Sequence, residues 1–426
     1  MTFAVGIDFG TTNSVLAIAG ANGDVESLQW PTDAGLTDTF RTALMFWSEG
    51  HAPRTKLHHV AGPQALARAM SGQSGQRFVQ SIKTYLASAA FSEARLFGKR
   101  FAVEELVATF LGHLVDSHHE KVMSGKPYVV SGRPVIFAGA SPDDDLAVAR
   151  LQKAYALAGF GTVELAYEPL GAAYWYARNL TRDETVLVAD FGGGTSDFSV
   201  LRFERQAGRL NATSLAHGGC GIAGDTFDYR LVDHLVAPQL GKGTLYKSYD
   251  KRLPLPAWLH AAFAQWHQLS FLKTPATFAE LHKLKAASEA PERLQALIDI
   301  IEQDLGFELY QAISKLKADL SDGEAAAFRF DAGGVKIAAE VTRMQFEQWI
   351  APDLAAIAAA MDATLARAGL GAEAVDAVFL TGGTSYVPAL RQLFSKRFGP
   401  ERIHIGNAFQ SVACGLALLA ADRARG

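Results

Sequence analysis

One short pattern occurs twice in this chain, and it limits the possible folds more than any other feature. Val5-Gly6-Ile7-Asp8-Phe9-Gly10-Thr11-Thr12-Asn13-Ser14 resembles Val188-Ala189-Asp190-Phe191-Gly192-Gly193-Gly194-Thr195-Ser196-Asp197. In each copy an apolar run ends in Asp-Phe-Gly, small and hydroxyl residues follow, and a second extended run begins. A single copy reads as an ordinary β-hairpin in which glycine supplies positive φ. Two copies, each opening a similar succession of elements, point to an internal duplication.

The residues of these turns suit polyphosphate. Glycine lets backbone N–H groups approach phosphate oxygens without a side-chain clash, and threonine hydroxyls add donors. An aspartate closes each first strand, and two facing carboxylates can hold Mg²⁺ through its waters. The pattern is not a P-loop, because no Gly-Lys-Ser/Thr follows and a strand rather than a helix comes next. A third stretch, Val378-Phe379-Leu380-Thr381-Gly382-Gly383-Thr384-Ser385, reads as strand, Gly-Gly and helix, which suits a place beside a nucleotide.

Strands and helices mix along the whole chain, which favours an α/β or α+β architecture. Ala4 to Asp8, Ser14 to Ala19, Val25 to Trp30, Ala43 to Trp47 and Tyr128 to Phe137 read as strands. Ala102 to Val122 has helical periodicity. Ser141-Pro142 reads as a helix start, and Pro169 opens a helix through Arg178. In the second half, Val186 to Asp190, Phe198 to Phe203, Leu210 to His217 and Val375 to Leu380 read as strands. Lys242 to Pro256 reads as loop, and Trp258 to Leu320 as helix broken near Pro275 and Pro291. A hairpin is expected around Asp331 to Gly334, then helices over Thr342 to Ala368, Pro388 to Phe398 and Phe409 to Arg423.

Composition narrows the partners. With 426 residues, of which 49% are hydrophobic and 20% charged, the chain can bury a large core. Its formal net charge is -4 and it has no dense basic stripe, which argues against a nucleic-acid partner. Cys220 and Cys414 are the only cysteines, so neither a disulfide framework nor a zinc motif is expected. The start lacks a secretory signal and no apolar run reads as a bilayer span. The expectation is a soluble cytoplasmic protein with no membrane partner.

Other patterns read as structural. Gly219-Cys220-Gly221-Ile222-Ala223-Gly224 fits G-x-G-x-x-G but lacks the acidic residue a dinucleotide site requires. His51, His58 and His59 cluster, as do His113, His118, His119 and Glu120, without metal-motif spacing. Taken alone, Lys83 and Lys317 read as solvated lysines, Glu168 as a helix-start acid and Pro134 as a strand-end proline.

At its three glycine motifs the chain resembles the nucleotide-binding domain of the DnaK-type heat-shock chaperones, within the actin-like ATPase superfamily. The resemblance runs from Val5 to about Ala421 and is nearest the YegD-type branch. Glu168-Pro169-Leu170-Gly171-Ala172-Ala173 looks like the family's connecting motif, and Gly382-Gly383 like its adenosine motif. The fold implied is a two-lobed, duplicated ribonuclease-H-like core with an ATP cleft between lobes. Lobe I would span 1–184 with an inserted subdomain at about 38–125. Lobe II would span 185–426 with an insert at about 228–325, and no peptide-binding domain would follow.

The resemblance also implies roles. Asp8, Asp190 and Asp197 would order Mg²⁺, mostly through waters. Thr11, Thr12, Asn13, Gly192, Gly193, Gly194 and Thr195 would touch phosphates. Lys83 would position the attacking water, with Glu168 opposite and Asp8 and Asp190 completing the catalytic group. Gly224, Lys317, Ser321, Gly382, Gly383 and Tyr386 would line the adenosine pocket. Pro134 falls where the family has a proline linked to interdomain signalling. Ser314 replaces a ribose-side Glu, Tyr386 replaces an adenine-side Arg, and Ala318 stands where some members place a second arginine. The helix start after Pro134 is rewritten as Ala140-Ser141-Pro142-Asp143-Asp144-Asp145. A weak Mg²⁺-dependent ATPase acting with co-chaperone or client proteins is the function implied. The alternative is a nucleotide-gated interaction module without useful turnover. A sugar kinase or an actin-like filament matches the motifs less closely.

Overall fold

The computed structural model describes residues 4–20, 22–50, 55–71, 73, 75–139, 141–206, 209–263, 269, 272–406 and 410–425. His51, Ala140 and Phe409 lie outside the described residues. Two compact units are distinguished. One comprises Met1–Gly224, Ala356–Tyr386 and Leu390–Gly426, and the other Asp225–Ala355 with Val387–Ala389.

The first unit contains the duplication as two sheets of one topology. In the first sheet the strand Ala4–Phe9 is central. It pairs antiparallel with Asn13–Ala19, which carries Val25–Ser27, and parallel on its other edge with Tyr128–Arg133, which carries Val163–Tyr167. In the second sheet Glu184–Phe191 takes the central place. Ser196–Gln206 and Arg209–Cys220 lie antiparallel on one edge, and Ala377–Thr381 and Ile403–Ile405 parallel on the other. Both central strands are buried on both faces, which is why they read as unbroken apolar runs rather than alternating ones.

Helices cover these sheets closely. Ser411–Arg425 packs on the strand Ala4–Phe9 and the helix Glu168–Ala177 with almost no side chain between them. A methyl added at Gly415 would strike the carbonyl oxygen of Gly171. One at Gly6 would strike the Ala413 carbonyl and the Ala417 backbone. A separate three-stranded sheet, Lys56–Ala61, Ala43–Glu49 and Gln76–Gln80, belongs to the same unit.

The second unit holds two hairpins, Leu245–Ser248 with Lys251–Pro254 and Ala325–Ala332 with Val335–Thr342, beside the helices Pro275–Ala287, Pro291–Glu302 and Gly306–Asp322. Thr274 caps Pro275–Ala287 by accepting from the Thr277 N–H, and Pro275 opens the helix without losing a bond. The helix Arg343–Arg367 begins in this unit and continues, from Ala356, in the other.

Several expectations need correction. Lys242 to Pro256 is a hairpin rather than a loop, because Leu245 to Ser248 pairs across Tyr249-Asp250. The helix after Pro134 starts at Asp144, since Asp143 rather than Ser141 accepts the Leu146 N–H. Tyr128 to Phe137 stops at Arg133, where Pro134 removes the next donor. Arg343–Arg367 is long and apolar enough to cross a membrane by length and composition, an 18-residue stretch within it having a mean hydropathy of 1.3. Its alanines make it so. Yet Asp353 within it is buried and takes a bidentate pair from Arg230 at 2.8 and 2.9 Å.

Candidate active site

The two Asp-Phe-Gly turns divide their labour by strand alternation. Phe9 and Phe191 are fully buried. Phe9 packs on Phe110 and Phe191 on Phe394, each with ring centroids 5.6 Å apart. Successive side chains leave a strand on opposite faces, so Asp8 and Asp190 point away from those aromatic anchors. Asp190 stands directly opposite Asp197 in its hairpin, whereas Asp8 stands opposite Val15.

The first turn is strapped from outside. The Thr42 hydroxyl donates to the Gly10 carbonyl at 2.8 Å, its N–H donates to the Thr12 carbonyl at 2.9 Å, and the Ser14 hydroxyl donates to Thr42 Oγ1 at 2.9 Å. The second turn closes through Gly192 N–H to the Thr195 carbonyl at 3.1 Å, and Thr384 Oγ1 donates to the Gly192 carbonyl at 2.8 Å. The turns face each other: a methyl at Gly194 would lie 3.8 Å from Thr11 Oγ1.

Lys83 is not solvated. It sits on the tight turn Ile82–Tyr85, entered through Ser81 at φ 53°, and is 6% exposed. Its ammonium donates to Glu168 Oε1, itself in a residue 7% exposed. Arg150 holds this turn from behind, its Nη1 donating to the carbonyls of Tyr85, Leu86 and Ser88 at 3.0–3.1 Å. Burial alone would lower the Lys83 pKa, but Glu168 and Asp8 outweigh it and the net shift is upward. Lys83 therefore stays charged.

The carboxylates are crowded. Withdrawal from water, then the charge of Glu168, lifts Asp8 to about 7 against the opposing pull of Lys83. The same two causes lift Asp197 to about 7, although it accepts from Thr195 Oγ1 at 2.7 Å and from the N–H groups of Val135 and Ile136 at 2.7 and 3.3 Å. Asp190 is raised well above the usual range by burial, Glu168, Asp8 and Asp197 together. One ammonium does not balance four carboxylates, and a hard dication meeting oxygen donors is the group that fits such a set. Among the described residues no group of three His, Cys, Asp or Glu side chains is placed to ligate one ion directly.

Gly382 has φ +80°, and a methyl there would meet the Phe191 carbonyl and, at 2.8 Å, Asp190 Oδ1. The Gly382-Gly383 turn thus lies against the second Asp-Phe-Gly turn. Tyr386 is 44% exposed, with the Arg391 guanidinium 5.1 Å from its ring centre and Arg391 Nε donating to the Ser385 carbonyl at 2.8 Å. The Gly224 N–H donates to the Gly192 carbonyl at 3.3 Å. Lys317 and Ser321 stand on the second unit. Lys317 pairs with buried Asp228 at 2.8 Å, contrary to its reading as a surface lysine, and Ser321 Oγ donates to the Lys317 carbonyl at 2.9 Å. Ser314 Oγ donates to the same Asp228 at 3.4 Å. Asp228, Thr42, Arg150 and Arg391 were not singled out by sequence. Only Thr384, inside the Gly-Gly-Thr-Ser string, carried a local signal.

Two sheets of one topology, each with an Asp-Phe-Gly turn at the end of its central strand, and a buried lysine–carboxylate pair beside the first of them define a duplicated α/β core. A family model described as Hsp70 protein matches residues 65–270 and 293–422, and the chain belongs to the Hsp70 family. Its fold is accordingly that of the actin-like ATPases. It is similar to the chaperone protein DnaK of two strains of Thermus thermophilus, 25% identical to each over 430 residues, covering 99% of this chain and 61% of the relative. It is also similar to the chaperone protein DnaK of Thermosipho melanesiensis, 25% identical over 420 residues, covering 98% and 59%. The chain thus spans about three fifths of the length of these relatives.

Proposed function

We propose that the chain is a DnaK-like ATP-binding protein that hydrolyses ATP slowly with Mg²⁺ and acts in a chaperone-related role with client or co-chaperone proteins. The observation that carries this reading is the buried Lys83–Glu168 pair set among Asp8, Asp190 and Asp197. Residues 1–184 and 185–426 form its two lobes, each with its insert. The two turns hold the phosphates through backbone N–H groups and the hydroxyls of Thr11, Thr12 and Thr195. Asp8, Asp190 and Asp197 hold the waters of the ion, which when bound supplies neutralisation of phosphate charge. Glu168 fixes the Lys83 ammonium, and Lys83 orients the attacking water and offsets charge on the departing phosphoryl oxygens. On the adenosine side, Tyr386 with Arg391 over its ring offers a flat cationic face for the base. Phosphate release from Mg-ATP tests the reading; a Lys83→Ala chain that turns over as fast as the unaltered one would refute the catalytic assignment.

A second reading is a nucleotide-gated interaction module without useful turnover. Ser314 and Ala318, at the positions where the resemblance implies polar contacts to the nucleoside, favour it. Tight Mg-ADP binding with no phosphate release above background would select it.

A further inference from the structure

One histidine from each of two clusters that stand apart in the sequence meets the other in the first unit. His59 lies on the strand Lys56–Ala61 and His113 on the helix Val103–Asp116, and His59 Nδ1 is 2.8 Å from His113 Nε2. The rings meet edge to face, their centroids 5.1 Å apart. On its other side, His113 Nδ1 is 3.2 Å from Asp116 Oδ2. A carboxylate only accepts, so Asp116 keeps the His113 proton on Nδ1 and leaves a lone pair on Nε2 aimed at His59. Phe46 lies beside His59 at 5.7 Å between ring centroids and gives the pair an apolar wall. His59 is exposed, so an ion can reach it from solvent.

We propose that His59 Nδ1 and His113 Nε2 form a binding site for one divalent transition-metal ion of the imidazole-preferring class, such as Zn²⁺ or Ni²⁺, with water completing its shell. Ligand softness supports this class, since imidazole suits zinc, nickel and copper and not magnesium. A tetrahedral ion with bonds of 2.0–2.1 Å holds two nitrogens about 3.3 Å apart and lies off the line between them, so the rings need to part by roughly half an ångström and turn until both lone pairs meet at the ion. The proton now between the rings moves from Nδ1 to Nε2 of His59, and the neutral pair loses none. Asp116 behind His113 completes a carboxylate–histidine–metal arrangement, which orients the ring and raises its basicity. The charged and titratable groups near His59 are Asp116, which favours a cation, and Lys99 and His58, which oppose it when charged.

The test is a Zn²⁺ or Ni²⁺ titration of the tag-free full chain by calorimetry, in excess Mg²⁺ so that the carboxylate cluster is masked. One equivalent is expected. His59→Gln and His113→Gln should each weaken binding at least tenfold, and Asp116→Asn about tenfold. Lys99→Gln should tighten it severalfold, an effect that a mere ring-to-ring hydrogen bond does not predict, and this variant keeps the test decisive if a histidine variant fails to fold. Absence of binding, unchanged affinity in the folded His59→Gln/His113→Gln chain, or no response to Lys99→Gln overturns the proposal.

Discussion

The Lys83 ammonium donates to the Glu168 carboxylate in a pair almost wholly removed from solvent, joining segments 85 positions apart in the chain. Such a pair gains little stability by existing, because desolvation offsets much of the Coulomb attraction. Breaking it is costly, about 3–5 kcal/mol, because one buried charge is left behind. Lys83→Ala should therefore lower thermal stability as well as phosphate release, the latter by about 100-fold or more. Lys83→Met with Glu168→Gln removes both charges. The double variant should recover most of the melting temperature and none of the turnover, and recovery of both would show that the pair is only structural.

Arg150 touches no expected ligand position but holds the carbonyls of the turn that carries Lys83. Arg150→Ala gives up charge-assisted bonds worth about 1.5–3 kcal/mol, and its main expected effect is on kcat. Single-turnover hydrolysis should slow severalfold while Mg-ADP affinity changes by less than twofold. Equal losses in both would place Arg150 in general stability instead.

The pH dependence has a definite sign. Asp8 and Asp197 titrate at about 7 in the folded chain against 3.8 for an ordinary aspartate. Folded pKa values raised above unfolded ones mean that the native state holds extra protons between roughly pH 4 and 7, so their contribution falls as pH rises through that window and levels off above it. In EDTA, the difference in melting temperature between Asp8→Asn and the unaltered chain should widen in favour of the variant as pH rises toward 7. Saturating Mg²⁺ with ADP should narrow it. A difference that shrinks with rising pH in EDTA would contradict the charge crowding described above.

Gly382 and Gly334 both have positive φ, +80° and +84°, but only Gly382 has neighbours within reach of an added methyl. Gly334→Ala should cost the backbone strain alone, about 1–2 kcal/mol. Gly382→Ala adds a clash with Asp190 and Phe191, so it should lose more stability and weaken nucleotide binding at least tenfold, measured by fluorescent-ADP titration. Similar losses in the two variants would remove Gly382 from the site.

The duplicated turns, both central strands and most long helices were legible because each is a local pattern: an apolar run, a glycine turn, a proline start. Lys83 and Glu168 gained their roles only from the family resemblance, since nothing near either residue marks it as buried. Thr42, Arg150 and Asp228 left no local trace at all. Each acts on a segment at least 28 positions away, and that separation is what a single sequence does not display. The short strands Lys56–Ala61 and Gln76–Gln80 were missed for a related reason: they are half-exposed and lack a clean two-residue alternation.

The glycine seam between the helix Ser411–Arg425 and the helix Glu168–Ala177 sets a mechanical tolerance for the chemistry. Glu168 is the first residue of a helix whose fourth residue touches the far end of the chain backbone to backbone. One methyl at Gly415 would act like a shim under a machine tool, tilting the helix and moving the acid from its lysine without touching either. The last helix thus serves as the reference surface from which the carboxylate is aligned, and variation there would register first as misalignment in the site.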